Sequence, residues 1–134
     1  MPGAQDAVGL VLAAGALPVL VTGSGQASIL EKLDCDYPGA FPPGRRVTAH
    51  DVRYGKPNPE PFLMGLGKVG VADVCAAGVD NAPLGVEASS AAGIFTIGVR
   101  TGPLPAGSLL AAGADIELSS MSECAALLRF MLAQ

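Results

Sequence analysis

Short apolar runs alternate along this chain with stretches whose apolar residues recur at helical spacing. From Gln5 to Ala14, good helix formers carry Val8, Val11 and Leu12 on one side, and Gly15 stands where a helix C-cap would. Pro18 to Val21 is a continuous apolar run bounded by Gly23, which suits a strand buried on both faces of a parallel sheet. Gln26 to Leu33 predicts a second helix, opened by a Gly23-Ser24-Gly25 turn whose free N–H groups would face anything bound there. Asp34 to Gly44, rich in Pro, Gly and Asp, predicts a loop, and Val47 to Ala49 a short strand.

The alternation continues. Asn58-Pro59-Glu60 combines an Asn N-cap, Pro at the first helical position and an acid in the first turn. It predicts a helix from Pro59 to Lys68 that ends before Gly70, with Lys56 on the entering loop. Val74 to Val79 predicts a buried strand ending at Asp80, Leu84 to Ala92 a helix ended by Gly93, and Ile94 to Val99 the clearest strand. A short helix over Ser108 to Ala112 and an edge strand over Ala114 to Leu118 follow. Ser120 with Glu123 forms a capping box that opens a last helix, reaching Ala133. Such alternation implies an α/β fold with a parallel sheet, and no repeat or boundary divides residues 1–134.

Half the residues are hydrophobic and 15% are charged, which excludes a disordered chain. The net charge of -4, with eight basic residues spread along the chain, argues against nucleic acid as a partner. Val8 to Val21 is too short to span a membrane and is broken by Gly15 and Pro18, while Asp6 sits where a signal peptide needs positive charge. No membrane partner is expected. Cys35, Cys75 and Cys124 match neither a zinc pattern nor a disulfide framework, so they read as small core or half-buried hydrophobes in a reducing compartment, the cytoplasm.

In open α/β sheets, ligands bind at the carboxyl ends of the strands. Thr22 follows the first strand, Lys56 lies on a loop after the second, and Asp80 with Asn81 follows the third. A hydroxyl, an ammonium and an acid-amide pair could thus converge on one edge, a set suited to a phosphoryl group and a divalent cation. Singly they have duller readings: a strand-end hydroxyl, a solvated loop charge and a helix-capping acid. Their order and flanking motifs favour the joint reading.

Val-Thr-Gly-Ser-Gly at 21–25, Asp-Val-Arg-Tyr-Gly-Lys-Pro-Asn-Pro-Glu-Pro-Phe at 51–62 and Asn-Ala-Pro-Leu-Gly-Val-Glu-Ala-Ser-Ser-Ala-Ala-Gly at 81–93 carry a likeness. They strongly resemble the second, third and fourth motifs of the haloacid dehalogenase superfamily, closest to its β-phosphoglucomutase-like phosphatase branch. The resemblance implies a Rossmann-like three-layer core and Mg²⁺-dependent phosphoryl transfer, through an aspartyl-phosphate, on a phosphorylated small molecule such as a sugar phosphate. It implies phosphate binding by Thr22, Gly23, Ser24 and Lys56, with Thr22 bonding a phosphoryl oxygen and Lys56 neutralising charge. Asp80 and Asn81 would hold Mg²⁺. Asn81 stands where many relatives carry an aspartate and brings no charge, so the metal would rest more on Asp80.

The family's first motif, Asp-x-Asp on the first strand, supplies the nucleophile. Asp34 and Asp36 have the spacing, but a helix precedes them, no apolar strand leads in, and Tyr37-Pro38-Gly39 follows. They are not read as that motif. Met1-Pro2-Gly3-Ala4 instead resembles the return from the family's helical cap to its core. The resemblance therefore implies a single partial core domain lacking the nucleophile strand and the cap, and inactive alone.

A buried strand of that kind represents ~6 to 12 kcal/mol, against ~5 to 15 for a whole domain. The chain is thus expected to be marginal, to pair strands the family keeps apart, or to form a homo-oligomer through exposed sheet edges. Two other readings stand beside the hydrolase: a non-catalytic module that binds phosphate or complements a separate subunit, and an unrelated nucleotide-binding domain. The last would need a third glycine beyond Gly23-Ser24-Gly25.

Overall fold

Residues 2–133 are described by the computed structural model; Met1, the first residue of the Met-Pro-Gly-Ala segment, lies outside them. The elements follow in the order α1 (Ala4–Ala13), β1 (Leu20–Val21), α2 (Ala27–Asp36), β2 (Arg46–Val47), α3 (Glu60–Val69), β3 (Ala77–Asp80), α4 (Pro83–Ala91), β4 (Phe95–Val99), α5 (Ser108–Ala112), β5 (Ile116–Leu118) and α6 (Met121–Leu132). Every neighbouring strand pair is parallel, as strand–helix alternation requires.

The strands form two sheets rather than the one expected. β1 pairs β2, with Leu20 opposite Arg46 and Val21 opposite Val47, while β3, β4 and β5 form the other sheet with β4 central. β1 and β3 do not pair, so each keeps an unpartnered inner edge among the described residues. Closure of the sheet by direct pairing of these strands, one of the expected outcomes, does not occur.

Helices cover both faces. α3 packs on β1 and β2, α4 on β3 and β4, and α5 on α4, β4 and β5, whereas α6 packs on β4 and β5 with α1 against it. Period-two alternation in β4 divides the core: Ile97 and Val99 join buried Cys124 of α6, while Thr96 faces α4, its hydroxyl 2.8 Å from that of buried Ser89. On the other side, Phe62 of α3 meets Ala88, Ala92 and Ile94, with Val21 packed against them. This cluster lets α3 and α4 carry the two sheets together. α3 ends where expected, with Gly70 at φ 67, a left-handed conformation that favours glycine.

Several expectations shift. The third strand begins at Ala77 rather than Val74, because Asp73–Cys75 form a single 3-10 turn that leaves Val74 85% exposed. A hydrophobic run alone cannot tell a turn beside a strand from the strand itself. In α1 the buried residues are Ala4 and Ala7, and Leu12 is exposed. α2 extends through Asp36, so Asp34 and Asp36 lie in its last turn, where they pair with Arg46 and Lys32. Cys35 and Cys75 are exposed and only Cys124 is buried, which corrects the reading of all three as core or half-buried residues. Among the described residues no helix is long and apolar enough to cross a membrane.

Candidate functional site

The turn after β1 is held by its own polar groups. Thr22 N–H donates to the Val47 carbonyl (2.9 Å), which extends the β1–β2 ladder, and its Oγ1 accepts the Ser24 N–H (3.1 Å). Ser24 Oγ in turn accepts the Gln26 N–H (3.3 Å) just before α2. His50 lies over the turn, with Nε2 3.3 Å from the Gly25 carbonyl oxygen.

The loop from β2 to α3 is clamped at two points. Asp51 Oδ2 accepts the N–H and hydroxyl of Thr48 (2.8 and 3.2 Å), and the backbone bond above all holds its carboxyl below the usual range. Glu60, in the first turn of α3, accepts the N–H groups of Arg53 and Tyr54 (2.7 and 2.8 Å). Asn58 Oδ1 accepts the Glu60 N–H (2.9 Å), but α3 begins at Glu60 with Pro59 as its cap residue, one position later than expected.

Between these clamps Lys56 turns inward. Its Nζ donates to the Val21 carbonyl (3.2 Å) and to Asp80 Oδ2 (2.7 Å), and lies 5.4 Å from the centroid of the Phe62 ring. The two side chains are only 20% and 11% exposed, so solvent screens this pair less than a surface one. One ammonium thus ties the end of β1 to the end of β3. Asp80 Oδ1 accepts the Ala82 N–H (3.0 Å) before α4, and Gly85 leaves room for this carboxylate. Asn81 Nδ2 donates to Thr101 Oγ1 (3.0 Å).

A pocket of about 140 Å³ opens at this point, lined by Thr22, Gly23, Ala49, Val52, Arg53, Gly55, Lys56 and Pro61. A hollow of about 540 Å³ on α3, lined by Asn58, Glu60, Leu63, Met64, Gly67 and Lys68, is larger but open, and holds none of the predicted site residues. The smaller pocket is therefore the candidate site. It gathers Thr22, Gly23 and Lys56, and Asp80 stands behind Lys56; Ser24 and Asn81 are not in its wall. Arg53 was missed by the sequence reading, although it lies three residues before Lys56 in the motif that carried the resemblance.

The chain is 46% identical to a candidate β-phosphoglucomutase from Bacteroides vulgatus, covering 100% of this chain and 55% of that one with a TM-score of 0.91. It is 25% identical to a haloacid dehalogenase-like protein of unknown function from Agrobacterium tumefaciens, covering 97% of this chain and 61% of that one with a TM-score of 0.74. The chain belongs to the haloacid dehalogenase superfamily. The chain is also 36% identical to glycerol-1-phosphate phosphohydrolase 2 of Saccharomyces cerevisiae, across 71% of this chain and 42% of that one. The chain thus spans about half the length of the relatives it matches. No family model matches it.

Magnesium, which the superfamily resemblance implies, can be tested against the donors present. Asp80 is already engaged by Lys56 and the Ala82 N–H, Asn81 offers one uncharged carbonyl oxygen, and the described residues hold no group of three or more His, Cys, Asp or Glu that could ligate a metal. A divalent cation that favours six oxygen ligands finds one neutralised carboxylate and one amide. These donors alone do not fit it.

Proposed function

We propose that this chain binds the phosphoryl group of a phosphorylated small molecule, such as a sugar phosphate or a polyol phosphate, and serves phosphoryl transfer of the phosphatase or phosphoglucomutase type. The observation that carries the reading is that Lys56 and Thr22, distant in sequence, line one pocket at the ends of parallel strands. Lys56 neutralises phosphoryl charge, and Thr22 Oγ1 contacts a phosphoryl oxygen while still accepting from Ser24. Positioning and charge stabilisation of this kind make up most of phosphoryl-transfer catalysis.

The pocket lining contains no carboxylate to attack phosphorus, so the 134-residue chain by itself binds rather than turns over. Removing a nucleophile from a cooperating set costs on the order of 10⁶ in rate. Titration of the ¹⁵N-labelled chain with inorganic phosphate tests the binding, with amide shifts expected at Thr22, Gly23 and Lys56. Silence at all three would refute it. Steady turnover of a generic phosphate ester, abolished in Lys56→Ala, would overturn the non-turnover part.

A second reading has its own support. The unpaired inner edges of β1 and β3 suit a module that accepts a strand from another polypeptide or another copy. Sedimentation across a range of concentrations, alone and with candidate partner chains, tests it; a monomer throughout would count against it. Exposed, unbridged Cys35 and Cys75 suit a reducing compartment, the cytoplasm.

A further inference from the structure

Two cations line the pocket, and they are not equivalent. Lys56 is paired at 2.7 Å with Asp80, so its charge is largely cancelled before any ligand arrives. The carboxylates around the loop are also engaged: Asp51 with Thr48 and, at 3.9 Å, Lys68, and Glu60 with the N–H groups of Arg53 and Tyr54. Arg53 itself makes no ion pair among the described residues. Its exposed side chain has Cζ 5.4 Å from the centroid of the Tyr54 ring, beside the pocket.

We infer that Arg53, rather than Lys56, supplies the net positive charge that captures the anion in this pocket, and that the group it takes is the phosphoryl of a phosphate monoester. The inference rests on the phosphate-binding reading above and assigns its charge to a different residue. A guanidinium stays charged across the accessible pH range and presents a planar fork of donors that matches two phosphoryl oxygens. The Glu60 clamp fixes the Arg53 backbone, and the contact with Tyr54 limits how far the side chain swings, so less freedom is lost on binding. Lys56 has three N–H donors, of which Val21 and Asp80 take two, leaving one to orient a phosphoryl oxygen.

The test uses the full chain with inorganic phosphate as the probe, followed by calorimetry and by amide shifts in the wild type, Arg53→Ala, Arg53→Lys and Lys56→Ala. Loss of a bond to a charged partner predicts phosphate affinity weakened roughly 10- to 100-fold in Arg53→Ala. Arg53→Lys should recover only part of that loss, because an ammonium keeps the charge but not the planar fork, and added salt should weaken the wild type more steeply than Arg53→Ala. Melting temperatures of the Arg53 variants should match the wild type, because the side chain is exposed and makes no ion pair among the described residues. Wild-type affinity in Arg53→Ala together with lost binding in Lys56→Ala would overturn this inference and leave the pocket assignment standing. No response at Thr22 and Gly23 in the wild type would overturn the pocket assignment itself.

Discussion

Gly85→Ala offers a sharp test of the site's geometry, because two effects compete with opposite signs. Gly85 is buried in the first turn of α4, where alanine is ordinarily better than glycine by ~0.5 to 1 kcal/mol. A β-carbon there, however, would overlap both carboxylate oxygens of Asp80. Asp80 must then rotate away, giving up its bonds to Lys56 Nζ (2.7 Å) and to the Ala82 N–H (3.0 Å). Bonds to charged groups contribute ~1.5 to 3 kcal/mol each, and if one is regained elsewhere the net change, after the helix gain, is ~0.5 to 2.5 kcal/mol of destabilisation. That corresponds to a melting temperature lower by roughly 3 to 5 °C per kcal/mol for a chain of this size. Urea denaturation of the wild type, Gly85→Ala, Asp80→Ala and the double variant measures it. Without the Asp80 carboxylate the overlap is gone, so the second substitution should become neutral or stabilising in that background. A stabilising Gly85→Ala, or the same effect in both backgrounds, would refute the reasoning.

Ile97, fully buried between β4 and α6, should cost about 2 to 5 kcal/mol when replaced by alanine, and a loss below about 1 kcal/mol in urea would show that the core lies elsewhere. The N–H of Gly107 first, then those of Leu109 and Leu110 with Arg100 nearby, hold the Glu117 carboxyl below its ordinary 4.5. A lowered folded value means that the stabilisation is complete above the unfolded value and is lost as pH falls through the folded one. The melting temperatures of wild type and Glu117→Gln should therefore converge as pH falls below the ordinary 4.5 and through the lowered folded value, and a gap that persists in strong acid would contradict this. Cys35 and Cys75 are exposed whereas Cys124 is buried, its thiol pushed up by desolvation, so a thiol reagent should label the first two promptly and Cys124 only after unfolding.

Elements with both a periodic pattern and a stop signal were legible in the sequence. The helix over Ser108–Ala112 and the end of α3 at Gly70 match the expectation, and β4 lies within one residue of it. Where pattern stood without a boundary it misled: Val74 belongs to a turn, and Leu12 faces solvent because the side of α1 that packs is the one bearing the small residues Ala4 and Ala7. Thr22, Gly23 and Lys56 could be expected to lie together because strand ends in parallel sheets converge, and they line one pocket. Arg53 was not expected there, since nothing in a one-dimensional pattern shows which of two neighbouring cations is neutralised by a carboxylate 24 residues beyond Lys56. The division into two sheets was equally hidden, because an apolar run does not say which strand lies beside it.

The two sheets share no backbone ladder, so their amides need not open together. β1 and β2 contribute two residues each and depend on α3, whereas β3, β4 and β5 form a longer ladder around fully buried Ile97 and Val99. Hydrogen exchange should therefore proceed through a lower-energy opening at Val21, Thr22 and Val47 than at Ile97 or Val99. Phosphate held by Thr22 and Lys56 would slow exchange chiefly in the weaker half, with a protection gain that follows ligand concentration over the dissociation constant. Occupancy of the pocket would then be readable from the backbone of a strand pair that shares no ladder bond with the larger sheet among the described residues.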